Sequence, residues 1–519
     1  MKYTVHFNMW GSNMEKNRKA IENPKIRAML FTFLIGITIH LFGLVTIMHN
    51  HDNISVTPYG YGTGIESGRW ALTILGDLIH NVWGDYNIPY VNGIIFILLL
   101  SLLVGVVMEI FQIKSWKIGT LIGAIFVSFP TTTATLFYRY TVVHYGVAIL
   151  LAAVAVLALE KIKYGSVISV ICIAVSLGIY QAYLPFTISL MVLLLIKKSL
   201  EKTNYKKILC RGIYYCFILC VGLACYYASL KVCLNIYDVS LGSYQGVSEM
   251  GKINLKDIPQ LMMKTFVSFC KMPLSDYCNL SSTAILEIGY ILLGITTVFA
   301  LFYFCKKYKK IQMTAVIILL MVLFPFAVNF IVVMCPNSNI YTLMVLGFSV
   351  VLLMPVVIYN TVPVDTKIWK MCKKSSIVIL IIILCNYAYQ ANVNYTAMYY
   401  TNQQTENYLN SLVTQVRMSE GFDTSKKWVF IGSKIQDPLV WNSWGQVEMY
   451  GGMEKNLLNS YTRNVWILNY FGYFIPTADE NTVRQFEKNK EVINMPCWPN
   501  ANSIKVIDDA IIIKLENVN

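Results

Sequence analysis

A chain of 519 residues that is 56% hydrophobic and 13% charged, with a mean hydropathy of +0.54, is too apolar for a water-soluble globular fold, and its apolar runs are long enough to cross a bilayer. The formal net charge of +14 does not mark a nucleic-acid binder, because Lys and Arg fall between the apolar runs, where membrane topology uses them. The 13 Cys show no CxxC or Cys/His spacing and give no support to a zinc site or a disulfide framework.

The first two dozen residues are polar and basic (Lys16, Arg18, Lys19, Lys25, Arg27), which predicts an uncleaved first anchor, residues 27–48, with its N-terminus inside. A polar stretch from His51 to Asn92 follows outside and gathers Asp52, Glu66, Arg69, Asp77 and Asp85. Residues 91–111 return to Lys114 and Lys117. Residues 118–132 go out to a turn holding Tyr138, Arg139 and Tyr140, and 142–159 come back to Lys161 and Lys163. The run 166–196 has basic residues at both ends, so it reads as two short spans meeting at Tyr180-Gln181-Ala182-Tyr183-Leu184-Pro185, a break tolerated where backbone lines a protein cavity. Residues 212–234 lead to a long external loop, 235–282, in which 258–270 is expected to form an amphipathic helix on the membrane surface.

Spans at 285–305, 314–334, 341–359 and 376–391 complete about eleven crossings with every basic loop inside. From Asn392 the apolar runs shorten, and Trp428-Val-Phe-Ile-Gly432 reads as a strand, 482–488 as a helix and 503–515 as two strands around Asp508-Asp509. The expected fold is mainly α: a polytopic helical bundle, residues 1–391, with a catalytic first external loop at 49–90 and a small extracytoplasmic α/β domain at 392–519.

Asp52, just beyond the first span, is placed to accept a proton from an acceptor hydroxyl while a lipid-borne donor lies in the bilayer beside it; its alternative is a solvated helix-end cap. Arg69, in Ser67-Gly68-Arg69-Trp70 at the start of an expected amphipathic helix, suits a phosphate, or else anchors the interface beside Trp70. Arg139 and His144 should face the same outer leaflet. Gln181 either binds a sugar or phosphate, or satisfies the backbone freed at the break. No Walker, dinucleotide, HExxH or GxSxG motif is present, so nothing points to ATP-driven transport, hydride transfer, or zinc or serine hydrolysis.

Four stretches carry a resemblance: Asp52-Asn53 with Gly68-Arg69 some way on; Tyr138-Arg139-Tyr140, with Thr141 near a position where Asp is usual; Gly178-Ile-Tyr180-Gln181-Ala182; and Met495-Pro-Cys-Trp-Pro499 followed by Ser503-Ile504 and Ile511-Ile-Ile-Lys514-Leu515. In order and spacing the chain resembles the O-antigen glucosyltransferases of Gtr type II, integral membrane enzymes of GT-C-like architecture. The resemblance implies transfer of a hexose, often glucose, from a polyprenyl-phosphate carrier to a surface glycan outside the cytoplasm.

Asp52 would be the general base and Arg69, then Arg139, the cation for the leaving phosphate, with Asn53, Glu66, Trp70, Tyr140, His144 and Gln181 around the substrates. No cofactor or metal is required. The partners implied are the lipid carrier, a polysaccharide acceptor, a flippase and a donor-synthesising transferase, and the location is the inner or plasma membrane. The alternatives are a flippase for lipid-linked saccharides, which would need an intramembrane polar pathway and often repeated halves, and a polymerase, whose catalytic loop usually comes late in the chain.

Overall fold

Proline and asparagine punctuate the apolar runs. Helix α1 (Pro24–Val45) opens behind Asn23, whose side chain accepts the Lys25 N–H, with Pro24 in the first turn, where no N–H is needed. Among the described residues two helices occupy the polar stretch after α1, α2 (His51–Val56) and α3 (Trp70–Trp83), and the apolar helix α4 (Pro89–Ile110) follows. Next, α5 (Trp116–Ser128) and α6 (Pro130–Phe137) meet at a 49° bend, because Phe129 is held extended ahead of Pro130. After α7 (Val142–Lys161) the expected break is present: α8 (Gly165–Ile179) stops at an extended Tyr180, Gln181–Tyr183 make one 3-10 turn, and α9 (Leu184–Leu200) restarts with Pro185 in its first turn. The remaining helices of this part are α10 (Tyr205–Ile236), α11 (Ile258–Lys271), α12 (Ala284–Tyr308), α13 (Ile311–Val328), α14 (Ser349–Thr361) and α15 (Lys367–Arg417).

The structure is a computed structural model that describes residues 22–56, 64–84, 88–201, 203–242, 255–274, 283–308, 310–362, 366–432, 450, 460–471 and 475–517; Lys16, Arg18, Lys19 and Asp85 lie outside them. Among the described residues seven helices are long and apolar enough to cross a membrane (α1, α4, α7, α9 with its preceding turn, α10, α12 and α13), and the bent α5–α6 pair makes eight. The sequence count of about eleven is larger because it also includes the shorter apolar helices Gly165–Ile179 and Leu346–Thr361 and a segment inside α15. Large apolar side chains stay exposed on the outer faces, among them Ile213 at 71% and Phe302 at 63%, as lipid-facing helices require. The chain is a membrane protein.

Helix α15 is 51 residues long, which at 1.5 Å per residue is about 75 Å and far exceeds the ~30 Å hydrocarbon core. The division drawn at 391/392 falls within this one continuous helix. Beyond it, β1 (Lys427–Ile431), β2 (Ile504–Ile507) and β3 (Ala510–Lys514) form a sheet of order β1-β3-β2, parallel between β1 and β3 and antiparallel between β2 and β3. The β2–β3 turn runs through Asp508 in the left-handed region, φ 52. Val429, Ile431 and Ile512 pack with Val492 and Met495 into a small core of their own, and the described residues of this part also include helices α16 (Ser460–Phe471) and α17 (Glu480–Glu487) and the short helix Lys490–Asn494.

At one end of the bundle Glu160 ties three helices together. It accepts from Lys198, from Arg211 Nη2 at 2.6 Å and from the Tyr215 hydroxyl at 2.5 Å, with its side chain 11% exposed. Glu160→Gln leaves two cations facing each other, so it is expected to cost on the order of 2 kcal/mol and to lower the thermal midpoint in detergent. An unchanged midpoint would show that this cluster is solvated.

Candidate active site

The site is built where the polar stretch after α1 folds back on the helix ends. Asn50 caps α2, its side chain accepting the Asn53 N–H at 2.7 Å, and Asn402 on α15 brackets the preceding residue, accepting from His49 N at 2.8 Å and donating to His49 O at 3.1 Å. Burial, together with the nearby Arg139 charge, pulls the His49 pKa down to about 3, so this imidazole stays neutral. Asp52 then stands in the first turn of α2, where the helix dipole favours a carboxylate. One of its oxygens lies 3.3 Å from His51 Nε2, the other accepts from the Tyr140 hydroxyl at 3.3 Å, and the side chain remains 40% exposed. Tyr140 is buried; burial first, and then the Asp52 charge, hold its phenol well above the usual pKa, so it remains a donor to Asp52.

Arg69 stands at the start of α3 after Gly68, whose φ of 74 suits a residue without Cβ. Its Nη1 donates to the Tyr145 hydroxyl at 3.2 Å, and its guanidinium lies 4.9 Å from the Tyr180 ring centre. Tyr145 and Tyr180 stack at 4.6 Å, with Tyr183 edge-on to both. The Tyr140 phenol, which donates to the Asp52 carboxylate, also lies within electrostatic reach of the Arg69 guanidinium.

The turn ahead of Arg69 is clamped from the broken span and from α10. Gln181 Nε2 donates to Ser67 O at 3.0 Å and to the Tyr226 hydroxyl at 3.1 Å, and that hydroxyl donates to Gly68 O at 3.0 Å. Gln181 therefore serves a backbone, but that of the turn before α3, not that of its own break. Tyr226 was not among the residues picked from the sequence: it is one of many Tyr in the chain, inside an apolar run with no motif around it.

The other expected residues take different places. Arg139 is buried and turned under the loop, donating through Nη2 to Thr46 O at 2.8 Å, while its backbone is held by Asn53 and Asn92. Asn53 is fully buried and staples α2 to the end of α6, its amide donating to Phe137 O. Trp70 packs on α8 at Gly178, where a Cβ would come within 2.6 Å of the indole. The Glu66 side chain is exposed and its carbonyl accepts Gly242 N at 2.9 Å. His144 is buried, and neither ring nitrogen has a hydrogen-bond partner among the described residues. The structure thus brings Asp52, Tyr140 and Arg69 together, with Gln181 and Tyr226 behind them, and sets Asn53, Trp70 and Arg139 to structural contacts.

The glucosyl transferase GtrII family description matches residues 41–354. The chain belongs to the GtrII glucosyl transferase family. The matched GtrII segment runs from the last turns of α1 into α14 and contains Asp52, Arg69, Tyr140, Gln181 and Tyr226; Asn402 and the sheet lie beyond it. Neither a curated protein nor a solved structure gives a match. Membership in GtrII bears out the resemblance drawn from the sequence and makes the chain a glucosyl-transferring enzyme.

Tyr226→Phe removes the hydroxyl that carries Gly68 O and frees half of the Gln181 amide. One such bond is worth about 1 kcal/mol, so transfer by membranes holding equal amounts of protein is expected to fall several-fold. An undiminished rate would show that the clamp does not govern the turn.

Proposed function

We propose that this GtrII enzyme transfers glucose, with inversion, from a polyprenyl-phosphate donor to a cell-surface glycan at the outer face of the inner or plasma membrane. Its N-terminus lies in the cytoplasm and its tail outside. The observation that supports this most is the part-exposed Asp52 carboxylate seven residues beyond the end of α1, hydrogen-bonded by Tyr140 and sharing its polar stretch with an aromatic-held Arg69.

In this reading Asp52 takes the proton of the acceptor hydroxyl, the freed oxygen lone pair attacks the anomeric carbon, and the carbon–oxygen bond to the carrier phosphate breaks with its electrons going to phosphate. Arg69 offsets the charge that grows on that phosphate, and it does so without reorganising because Tyr145 and Tyr180 already hold it. Arg139, the second choice from the sequence, lies under the loop with its guanidinium on Thr46 O, so its part is to support the site. The donor's phosphate already supplies activation, so the scheme calls for no nucleotide and no metal. A flippase and a donor-synthesising transferase would deliver the lipid-borne glucose.

Mass spectrometry of the surface polysaccharide tests the reading: cells with the protein should carry a hexose that cells without it lack. Asp52→Asn should abolish that hexose at unchanged protein level. Arg69→Ala should raise the donor KM by an order of magnitude or more with little change in the acceptor KM. Full modification by the Asp52 variant would remove it as base, and equal loss on both substrates would make Arg69 structural.

A further inference from the structure

The tail buries a cation that the transfer scheme does not use. Arg463 lies in the first turn of the twelve-residue helix α16, a turn without an acidic residue, and is 7% exposed. Its guanidinium carbon sits 3.6 Å from the centre of the Phe430 ring at the end of β1, and Nε and Nη1 are buried with no hydrogen-bond partner among the described residues. Burial draws its pKa down to about 10, with the Tyr408 phenol opposing. Trp498 lies edge-on to Tyr408 at 6.2 Å, and its own indole N–H is buried without an acceptor among the described residues. An uncompensated guanidinium is among the most unfavourable groups to bury, and one ring face offsets only part of that penalty. A helix N-terminus behind it adds donors of the same sense.

We propose that Arg463, on the face of Phe430 and near the Tyr408 phenol that Trp498 meets edge-on, is the anion-binding residue of an acceptor subsite that takes a carboxylate or phosphate carried by the surface glycan. Aromatic rings suit sugar faces. The helix that carries Arg463 also reaches the transfer site: α16 packs on α2, and Trp466, one turn beyond Arg463, meets His49 at 5.6 Å, three residues before Asp52. A glycan anchored at Arg463 thus has a short path to the Asp52 carboxylate. The inference rests on the reading that a surface glycan is the acceptor.

The test uses the full-length protein in detergent, with thermal midpoints read against inorganic phosphate, glucuronate and, as a neutral control, glucose. The wild type and Arg69→Ala should both be stabilised by an anion; with Arg69→Ala as the background, so that the donor phosphate site is silent, adding Arg463→Met should abolish the response and adding Arg463→Lys should leave a weak one. A response to glucuronate alone assigns a uronate, and one to phosphate alone assigns a phosphorylated glycan. Asp52→Asn, which removes transfer under the proposed mechanism, should keep the anion response, so failure of that mechanism and failure of this inference are distinguishable. In transfer assays Arg463→Met should raise the KM for an acidic acceptor about tenfold, leaving the donor KM and the KM for a neutral acceptor unchanged. A Met variant that is more stable than the wild type with the same anion response would show a buried cation that serves no ligand and would overturn the inference. So would equal loss on acidic and neutral acceptors, which marks a structural role, or loss of the anion response with every acceptor KM unchanged.

Discussion

A loop set against the end of a membrane bundle must find partners for its own backbone, because water is scarce there and an orphaned carbonyl or N–H is costly. The polar stretch after α1 meets this demand with side chains borrowed from elsewhere. Arg139 serves Thr46, Asn402 serves His49, Gln181 serves Ser67 and Tyr226 serves Gly68. Each bond ties a loop residue to a different helix or turn, so Asp52 and Arg69 inherit their positions from the whole bundle. The loop needs little regular structure of its own: α2 has six residues, and the turn before α3 is a single 3-10 step.

Under the proposed mechanism the two arginines divide support from chemistry. Arg139 is buried under the loop and its guanidinium bonds a main-chain carbonyl. Arg69 lies against aromatic residues, its guanidinium over the Tyr180 ring and its Nη1 on the Tyr145 phenol, which orient it. Burial first and then the Asp52 charge keep the proton on the Tyr140 oxygen, so this hydroxyl stays a donor to Asp52.

Much of the architecture was legible in the residues. Pro185, with basic clusters on both sides of its apolar run, announced the broken span, and the two strands expected around Asp508-Asp509 are the β2–β3 hairpin. The helix at 258–271 and the start of α3 at Trp70 were equally open to reading, because each has one apolar side. What could not be read is which polar residue serves a substrate and which serves a backbone. Asn53, Trp70 and Gln181 stood out as polar or aromatic groups in a polar stretch or a break, but their partners, Phe137 O, Gly178 and Ser67 O, are distant in the chain. Tyr226 and Arg463 were missed for the converse reason: nothing local distinguishes them, and their meaning comes from Gly68 and Phe430, each more than thirty residues away.

The unbroken helix α15 sets a rotational phase between the bundle and the tail. Tyr395, hydrogen-bonded to His40 Nδ1, and Asn402, paired with His49, sit seven residues apart on it, two turns that bring both to one side. Adding or deleting a single residue between them would swing everything beyond by about 100°. The length of this segment is therefore as constrained as its composition, and the chain can tolerate new residues in its loops far more readily than along this mast.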